Sequence, residues 1–326
     1  MSAPALHGWI ILDKPVGIGS TNCVGAVKRA LREGGFAKVK VGHGGTLDPL
    51  ASGVLPVALG EASKLAGRML DSTKAYHFTI GFGAETSTLD AEGDVVATSE
   101  VRPTLAEVEA VLPHFTGEIE QVPPVYSALK VEGRRAYDLA RAVEEVALKS
   151  RRVTIFQLLP LGGGVMRSMT EGCSEEVQTP PALRATSPKG EELHDITLSA
   201  TVSKGTYIRS LARDIAHALG TVGHVTMLRR TKAGPFNLQQ AISLDFLAEA
   251  AKARRLDEVV LPLEAGLDDI PALPVTTGQA QLLRHGQQLT GYPVKPGLYL
   301  ATDDNRPVAL VEASADVVKV VRGFNL

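Results

Sequence analysis

The chain has only two cysteines, Cys23 and Cys173, among its 326 residues. Two are too few for a disulfide framework or a cysteine-held metal, and their scarcity agrees with a reducing compartment. The eight histidines show no metal-ligand spacing either. No stretch approaches the roughly 20 consecutive apolar residues that a membrane span requires. The opening M-S-A-P-A-L-H-G-W lacks the charged-then-apolar pattern of a secretory signal, so a cytoplasmic protein is expected. A surplus of one charge is missing too: the formal net charge is -2, which on its face argues against a nucleic-acid partner. What remains is an ordinary globular composition, 44% hydrophobic and 21% charged, on a chain long enough for a large core and more than one domain.

Local charge differs from the total. Residues 1 to 70 hold eight Lys or Arg (Lys14, Lys28, Arg29, Arg32, Lys38, Lys40, Lys64, Arg68) against four acids (Asp13, Glu33, Asp48, Glu61). Similar excesses recur from Lys130 to Arg141, from Lys149 to Arg152, and at Arg229, Arg230 and Lys232. Any one of these could be a solvated helix face. Several together, with little global charge, fit a local RNA groove better than indiscriminate polyanion binding.

One stretch organises the rest. Val41 to Pro56 reads V-G-H-G-G-T-L-D-P-L-A-S-G-V-L-P and carries a single acid, Asp48. Its glycines let the backbone turn and approach a ligand closely, and Pro49 biases Asp48 away from helix. The apolar run Val54 to Leu59 reads as a buried strand anchoring the loop. Asp-Pro is also common turn chemistry, so on pattern alone a structural role stands beside a catalytic one.

Around that loop, Trp9 to Leu12 reads as a strand. Ser20 or Thr21 is positioned to cap a helix with Val24, Val27 and Leu31 inward and Gly34-Gly35 at its end. Ala62 to Leu70 reads as a short helix, and Tyr76, Phe78 and Ile80 alternate with polar residues as on a half-buried strand. Residues 83 to 100 are polar and turn-rich, after which Thr104 to Glu107 form a capping box ahead of Val108, Val111, Leu112 and Phe115. Pro123-Pro124 forbid helix in Q-V-P-P-V-Y-S-A-L-K, while Ala136 to Arg141 can begin one. Arg151 to Leu159 reads as a strand. The segment 161–194, rich in Gly, Pro, Ser and Thr, reads as a flexible insertion. Ile196 to Val202 alternate as a strand, and from Thr206 onward Ile208, Leu211, Ala212, Ile215 and Leu219 recur at helical spacing up to Gly220. Four short runs, Pro271 to Val275, Leu298 to Ala301, Val308 to Val311 and Val317 to Val321, read as a small β domain.

Two motifs far apart in the chain, H-G-G-T-L-D-P-L-A-S-G-V-L-P and K-G-T-Y-I-R, resemble the signatures of the bacterial tRNA pseudouridine-55 synthases of the TruB type. H-V-T-M-L-R-R-T, from His224 to Thr231, resembles a third element, and the resemblance spans roughly residues 8 to 160 and 194 to 240. It implies an α+β fold with a mixed, largely antiparallel sheet and flanking helices in residues 1–245. A helical linker and a PUA-like β domain would follow in 246–326. It implies that Asp48 is the nucleophile, that Arg209 pairs with it, and that Tyr207 lies near the reacting base, where it is the candidate to assist removal of the C5 proton. Tyr76 would stack on the target base, His43 would fill the space that the flipped base leaves, and Leu228 would supply an apolar wall. Gly45, Thr46 and Lys130 complete the expected substrate contacts.

A carboxylate covered by a base would drift toward its neutral form, and a neighbouring guanidinium opposes that drift. This is the physical argument for an Asp48 to Arg209 pair. The implied reaction breaks the glycosidic bond of uridine, turns the uracil, and joins C5 to C1′. Attack by Asp48 at C1′, attack at C6, and a glycal route are all compatible with these residues. No electrons or phosphates move, so no cofactor or metal is expected, and Gly17-Ile18-Gly19 lacks the surroundings of a nucleotide fingerprint. The expected partner is the T-arm of tRNA, with no membrane and no obligatory protein partner. An RNA-binding or tRNA-folding protein without chemistry, and an RNA N-glycosidase that releases free uracil, are the alternatives.

Overall fold

The computed structural model of the chain describes residues 3–126, 130–131, 134–135, 149–161 and 192–326. Most of the expected insertion at 161–194, and the stretch Ala136 to Arg141 that can begin a helix, lie outside the described residues. The strands are β1 (Gly8–Lys14), β2 (Val41–His43), β3 (Ala51–Leu59), β4 (Lys74–Phe82), β5 (Ala84–Thr86), β6 (Val95–Thr98), β7 (Gly117–Gln121), β8 (Lys130–Val131), β9 (Arg134–Arg135), β10 (Arg151–Pro160), β11 (Asp195–Val202), β12 (Gly223–Ala233), β13 (Phe236–Asn237), β14 (Ala272–Pro274), β15 (Leu289–Thr290), β16 (Gly297–Asp303), β17 (Arg306–Ser314) and β18 (Val317–Gly323). Among the described residues the α-helices are α1 (Ser20–Glu33), α2 (Ala66–Asp71), α3 (Leu105–Val111), α4 (Ile208–Ala218), α5 (Leu244–Lys252) and α6 (Thr277–Arg284). The architecture is α+β with a β-rich C-terminal part. Packing divides the chain into two compact units, Met1–Pro49 with Gly53–Leu70 and Ala233–Leu326, and Leu50–Ser52 with Asp71–Lys232.

In the first unit β1 runs antiparallel beside β3, with Gly8 opposite Leu59 and Lys14 opposite Gly53. β2 pairs with the far end of the same strand, placing His43 opposite Val57. From Gly53 to Leu59 every residue is buried, so β3 reads as a continuous apolar run and not as an alternation. The unit's core is built on Trp9, which packs against Phe236 with ring centroids 5.3 Å apart and donates its Nε1–H to the Leu263 carbonyl at 3.0 Å. Gly266 makes this possible, because a Cβ there would sit 2.7 Å from the indole. α1 buries Cys23, Val24, Val27, Ala30 and Leu31 on the face that the spacing predicted. Its cap differs from expectation: Gly19 occupies the N-cap position and no side chain caps the helix. The predicted helix at Ala62 to Leu70 is divided into a 3-10 turn, Gly60–Leu65, and α2.

The C-terminal sheet runs β14-β16-β17-β18-β15, with β14 parallel to β16 and the other pairs antiparallel. The four predicted strand runs form β14, β16, β17 and β18; β15 and α6 complete the sheet's own core around Ala301, Val311 and Val318.

In the second unit the strand order is β12-β4-β11-β10-β7. Tyr76, Phe78 and Ile80 on β4 share a face with Leu198, Ala200 and Val202 on β11, and α4 covers that face with Ile208, Leu211, Ala212 and Ile215. The Thr104 capping box forms as expected and α3 buries Val108. The polar stretch 83–100 contains a short antiparallel pair, β5 and β6, and an inward turn between them.

Phe236→Ala would open a cavity beside Trp9. The expected cost is about 3–5 kcal/mol, read as a lower urea midpoint with the fluorescence of Trp9, the single tryptophan, as the probe.

Candidate active site

The Asp48 loop is held on both sides of the acid. Before it, the Leu47 N–H donates to Ser20 Oγ at 2.8 Å, and the same hydroxyl donates to the Leu47 carbonyl at 3.0 Å. This is why Ser20 does not cap α1. After it, the Pro49 carbonyl accepts from the Gly17 N–H at 2.8 Å and from the Lys14 ammonium at 3.2 Å. Lys14 is wholly buried and also donates to the Pro15 carbonyl at 2.8 Å. Gly44 donates to Pro56, and a Cβ on Gly44 would lie 2.6 Å from Met69, so no larger residue fits there. Gly45 has a φ of 146°, which also favours glycine. Asp48 and His43 are half-buried, Gly45 is buried and Thr46 is exposed. The loop is a rigid mount for one carboxylate.

The second motif is anchored with equal care. Tyr207 stands at the N-cap position of α4, and the Gln121 amide grips its main chain twice, accepting from the N–H at 2.8 Å and donating to the carbonyl at 3.0 Å. Ser210 Oγ donates to the Val122 carbonyl at 2.8 Å. Arg209 is buried with Asp90 at 3.1 Å and donates to the carbonyls of Thr88 at 2.8 Å and Tyr126 at 3.0 Å. Asp90 is itself fixed, because its Oδ1 accepts from the Thr88 hydroxyl and the Glu92 N–H. Leu89, at φ 61°, turns the chain so that Asp90 faces inward. The sequence expectation gave Arg209 one carboxylate partner, Asp48; the ion pair seen within this unit is with Asp90. Nothing in S-T-L-D-A-E-G-D singled out Asp90 from Glu92 or Asp94, apart from an Asx-turn pattern ending in Gly93.

Tyr76 and Leu228 are half-buried and pack at the rim of the cluster that contains Ile208, the residue between Tyr207 and Arg209. Tyr76 thus continues the core face of β4 while keeping part of its ring accessible. Lys130 lies in the β8–β9 hairpin, opposite Arg135. Gln121 and Asp90 are the positioning groups that sequence reasoning missed. Among the described residues no group of three His, Cys, Asp or Glu could hold a metal ion, and no helix is long and apolar enough to cross a membrane.

Two further ionisable groups on β4 are perturbed. Burial lowers the pKa of Lys74 from its ordinary 10.5 to about 8; Arg230 adds to the shift and Asp71 opposes it. Burial, helped by the Arg229 charge, also lowers that of His77.

The chain matches the TruB family pseudouridylate synthase N-terminal domain over residues 32–163 and the tRNA pseudouridylate synthase B C-terminal domain over residues 209–268. It is 60% identical to a tRNA pseudouridine synthase B of Novosphingobium aromaticivorans over 321 residues, 98% of each chain. A tRNA pseudouridine synthase B of Zymomonas mobilis is 56% identical, with 98% of this chain and 97% of that one covered. Among solved structures, a Cbf5-Nop10-Gar1 complex aligns with a TM-score of 0.67 at 25% identity, covering 98% of this chain and 85% of that one. An H/ACA RNP bound to a substrate RNA containing 2′-deoxyuridine shares the fold with a TM-score of 0.68 at 24% identity, covering 98% and 86%.

Asp90→Asn would remove the carboxylate that pairs with the buried Arg209 within its unit, and a loss of up to about 3–5 kcal/mol in urea unfolding is expected. Lys74 sets a pH dependence opposite to that of a lysine whose pKa is raised by a carboxylate partner. Its pKa is depressed on folding, so between about 8 and 10.5 the unfolded chain binds more protons than the folded one. The penalty for burying the charge is complete below that window and is relieved as pH rises through it. The urea midpoint should therefore carry a rising component from pH 8 to 10 that Lys74→Met removes.

Proposed function

The chain belongs to the TruB family of pseudouridylate synthases and isomerises uridine to pseudouridine in tRNA; from that premise we propose that its target is uridine 55 in the T-loop and that Asp48 is the nucleophile. The observation that carries the assignment is the two-sided anchoring of Asp48 by Ser20 on Leu47 and by Gly17 and Lys14 on Pro49. A carboxylate on so fixed a backbone can wait at one point for a nucleotide that leaves its stack. The N1–C1′ bond of the uridine breaks, the uracil turns while held, and a C5–C1′ bond forms. The proton on C5 leaves and N1 acquires one, so the product is an isomer of the substrate.

In this reading Arg209 keeps Asp48 ionised under the base by charge and hydrogen bonding. Its bonds to Asp90, Thr88 and Tyr126 would fix the guanidinium so that it does not have to reorganise during the reaction. Tyr76 stacks on the extruded uracil, Leu228 closes the apolar side, and His43 enters the gap left in the RNA. Tyr207 assists departure of the C5 proton. Gly45, Thr46 and Lys130 contact the RNA, whose shape and single-stranded bases provide recognition. Residues 1–245 would carry the chemistry, and 246–326 would form a linker and a PUA-like β domain.

The test uses a tRNA transcript tritiated at C5 of uridine, with a parallel assay for free uracil. The wild-type protein should release the label of one uridine to water with no free uracil. Asp48→Ala should bind the tRNA within a few fold of wild type and lose at least about 10⁴ in rate, the scale for removing a nucleophile. Free uracil would identify a glycosidase instead. Label release by Asp48→Ala would remove Asp48 from the nucleophile's role.

A further inference from the structure

The basic run Lys149 to Arg152 is divided by the fold. Arg152 is an exposed cation paired with Glu118 at 3.5 Å, as a solvated strand residue would be. Arg151, its neighbour, turns inward. Its guanidinium carbon lies 4.6 Å from the centroid of the Tyr207 ring, and a Cβ added to Gly205 would lie 3.6 Å from that carbon. Its Nε and Nη2 are buried and make no hydrogen bond to any of the described residues. Two N–H groups that give up water without gaining acceptors are disfavoured unless something else compensates, and here the guanidinium meets the negative face of the Tyr207 ring.

The residue opposite Arg151 across the β7–β10 ladder is Gln121. That amide grips the Tyr207 main chain from both sides. Two side chains facing each other across one strand pair therefore hold the same tyrosine, one by its backbone and the other by its ring. A backbone clamp alone leaves the ring free to rotate about χ1 and χ2. A guanidinium over the ring removes that freedom, and because it is planar it can lie flat on the aromatic face in a way an ammonium cannot.

We propose that Arg151 is a positioning residue of the isomerisation: it holds the Tyr207 ring in the orientation that its phenol needs, and acts through Tyr207, not through contact with RNA. The inference rests on the reading of Tyr207 as the group that assists removal of the C5 proton.

A mutant cycle on the full-length protein tests it, with Arg151→Met, Tyr207→Phe and the double variant compared in single-turnover pseudouridine formation and in tRNA binding. Arg151→Met should slow the single turnover by about tenfold, the scale of a desolvated cation–π contact, while tRNA affinity stays within about twofold. In the Tyr207→Phe background the same change should add less than about twofold, because the hydroxyl whose placement matters is already gone. The ring resonances of Tyr207, seen in free protein with ¹³C-labelled tyrosine, should move in Arg151→Met. An unchanged rate in Arg151→Met, a loss confined to tRNA affinity, or a full tenfold loss on top of Tyr207→Phe would each overturn the inference and leave the Tyr207 reading intact. A Tyr207→Phe protein as fast as wild type would overturn that reading, and the inference with it. Thermal melts check folding; if Arg151→Met is unfolded, Arg151→Lys takes its place in the cycle, with a smaller loss expected in the same direction.

Discussion

The buried pair of Arg209 and Asp90 is the interaction on which the second unit's functional end depends. It joins the first turn of α4 to the turn that follows β5, and the same guanidinium reaches the Tyr126 carbonyl at the end of the Q-V-P-P-V-Y segment. A buried ion pair is seldom the most stable choice, since well-packed apolar side chains often do as well. What it provides here is direction. Its donors meet a carboxylate and two main-chain carbonyls, and Asp90 is itself held by the Thr88 hydroxyl and the Glu92 N–H, which restricts the orientation of the guanidinium. Gln121, holding Tyr207, and Ser210 repeat the device on either side of Arg209, and the start of α4 is consequently bonded to a segment that cannot be helical.

The loop carrying Asp48 solves a similar problem with different means. It has little regular structure, so its rigidity comes from side chains that reach the main chain of the residues flanking the acid. A serine that sequence patterning would place at a helix cap is used on Leu47, and a lysine that would normally be solvated is buried on Pro49. Burying that ammonium is costly unless its donors are met, and carbonyls at 2.8 and 3.2 Å meet them. The acid is left as the one side chain of Leu47-Asp48-Pro49 with chemistry to offer.

Much of this was legible from local signals. The Gly-rich loop with its single acid, the alternation on β4, the helical spacing after Thr206 and the Thr104 capping box all report on a residue's own element, where sequence distance and spatial distance agree. The three groups that complete the picture carry no such signal. Asp90 sits in a polar run among other acids, Gln121 precedes two prolines, and Arg151 stands beside an arginine that behaves as a surface charge.

By itself, then, the sequence determined the α+β class, the core faces of the principal strands and helices, and, through two distant motifs, the family and its reaction. The tertiary structure alone decided which carboxylate meets Arg209 within its unit, which amide grips Tyr207, which arginine covers its ring, and why Ser20 caps nothing. The physical reason is separation along the chain. Periodicity tells which side of an element a residue occupies, but the partner that satisfies it arrives from 86 residues away for Tyr207 and 121 for Arg209, where only the folded backbone brings donor and acceptor together.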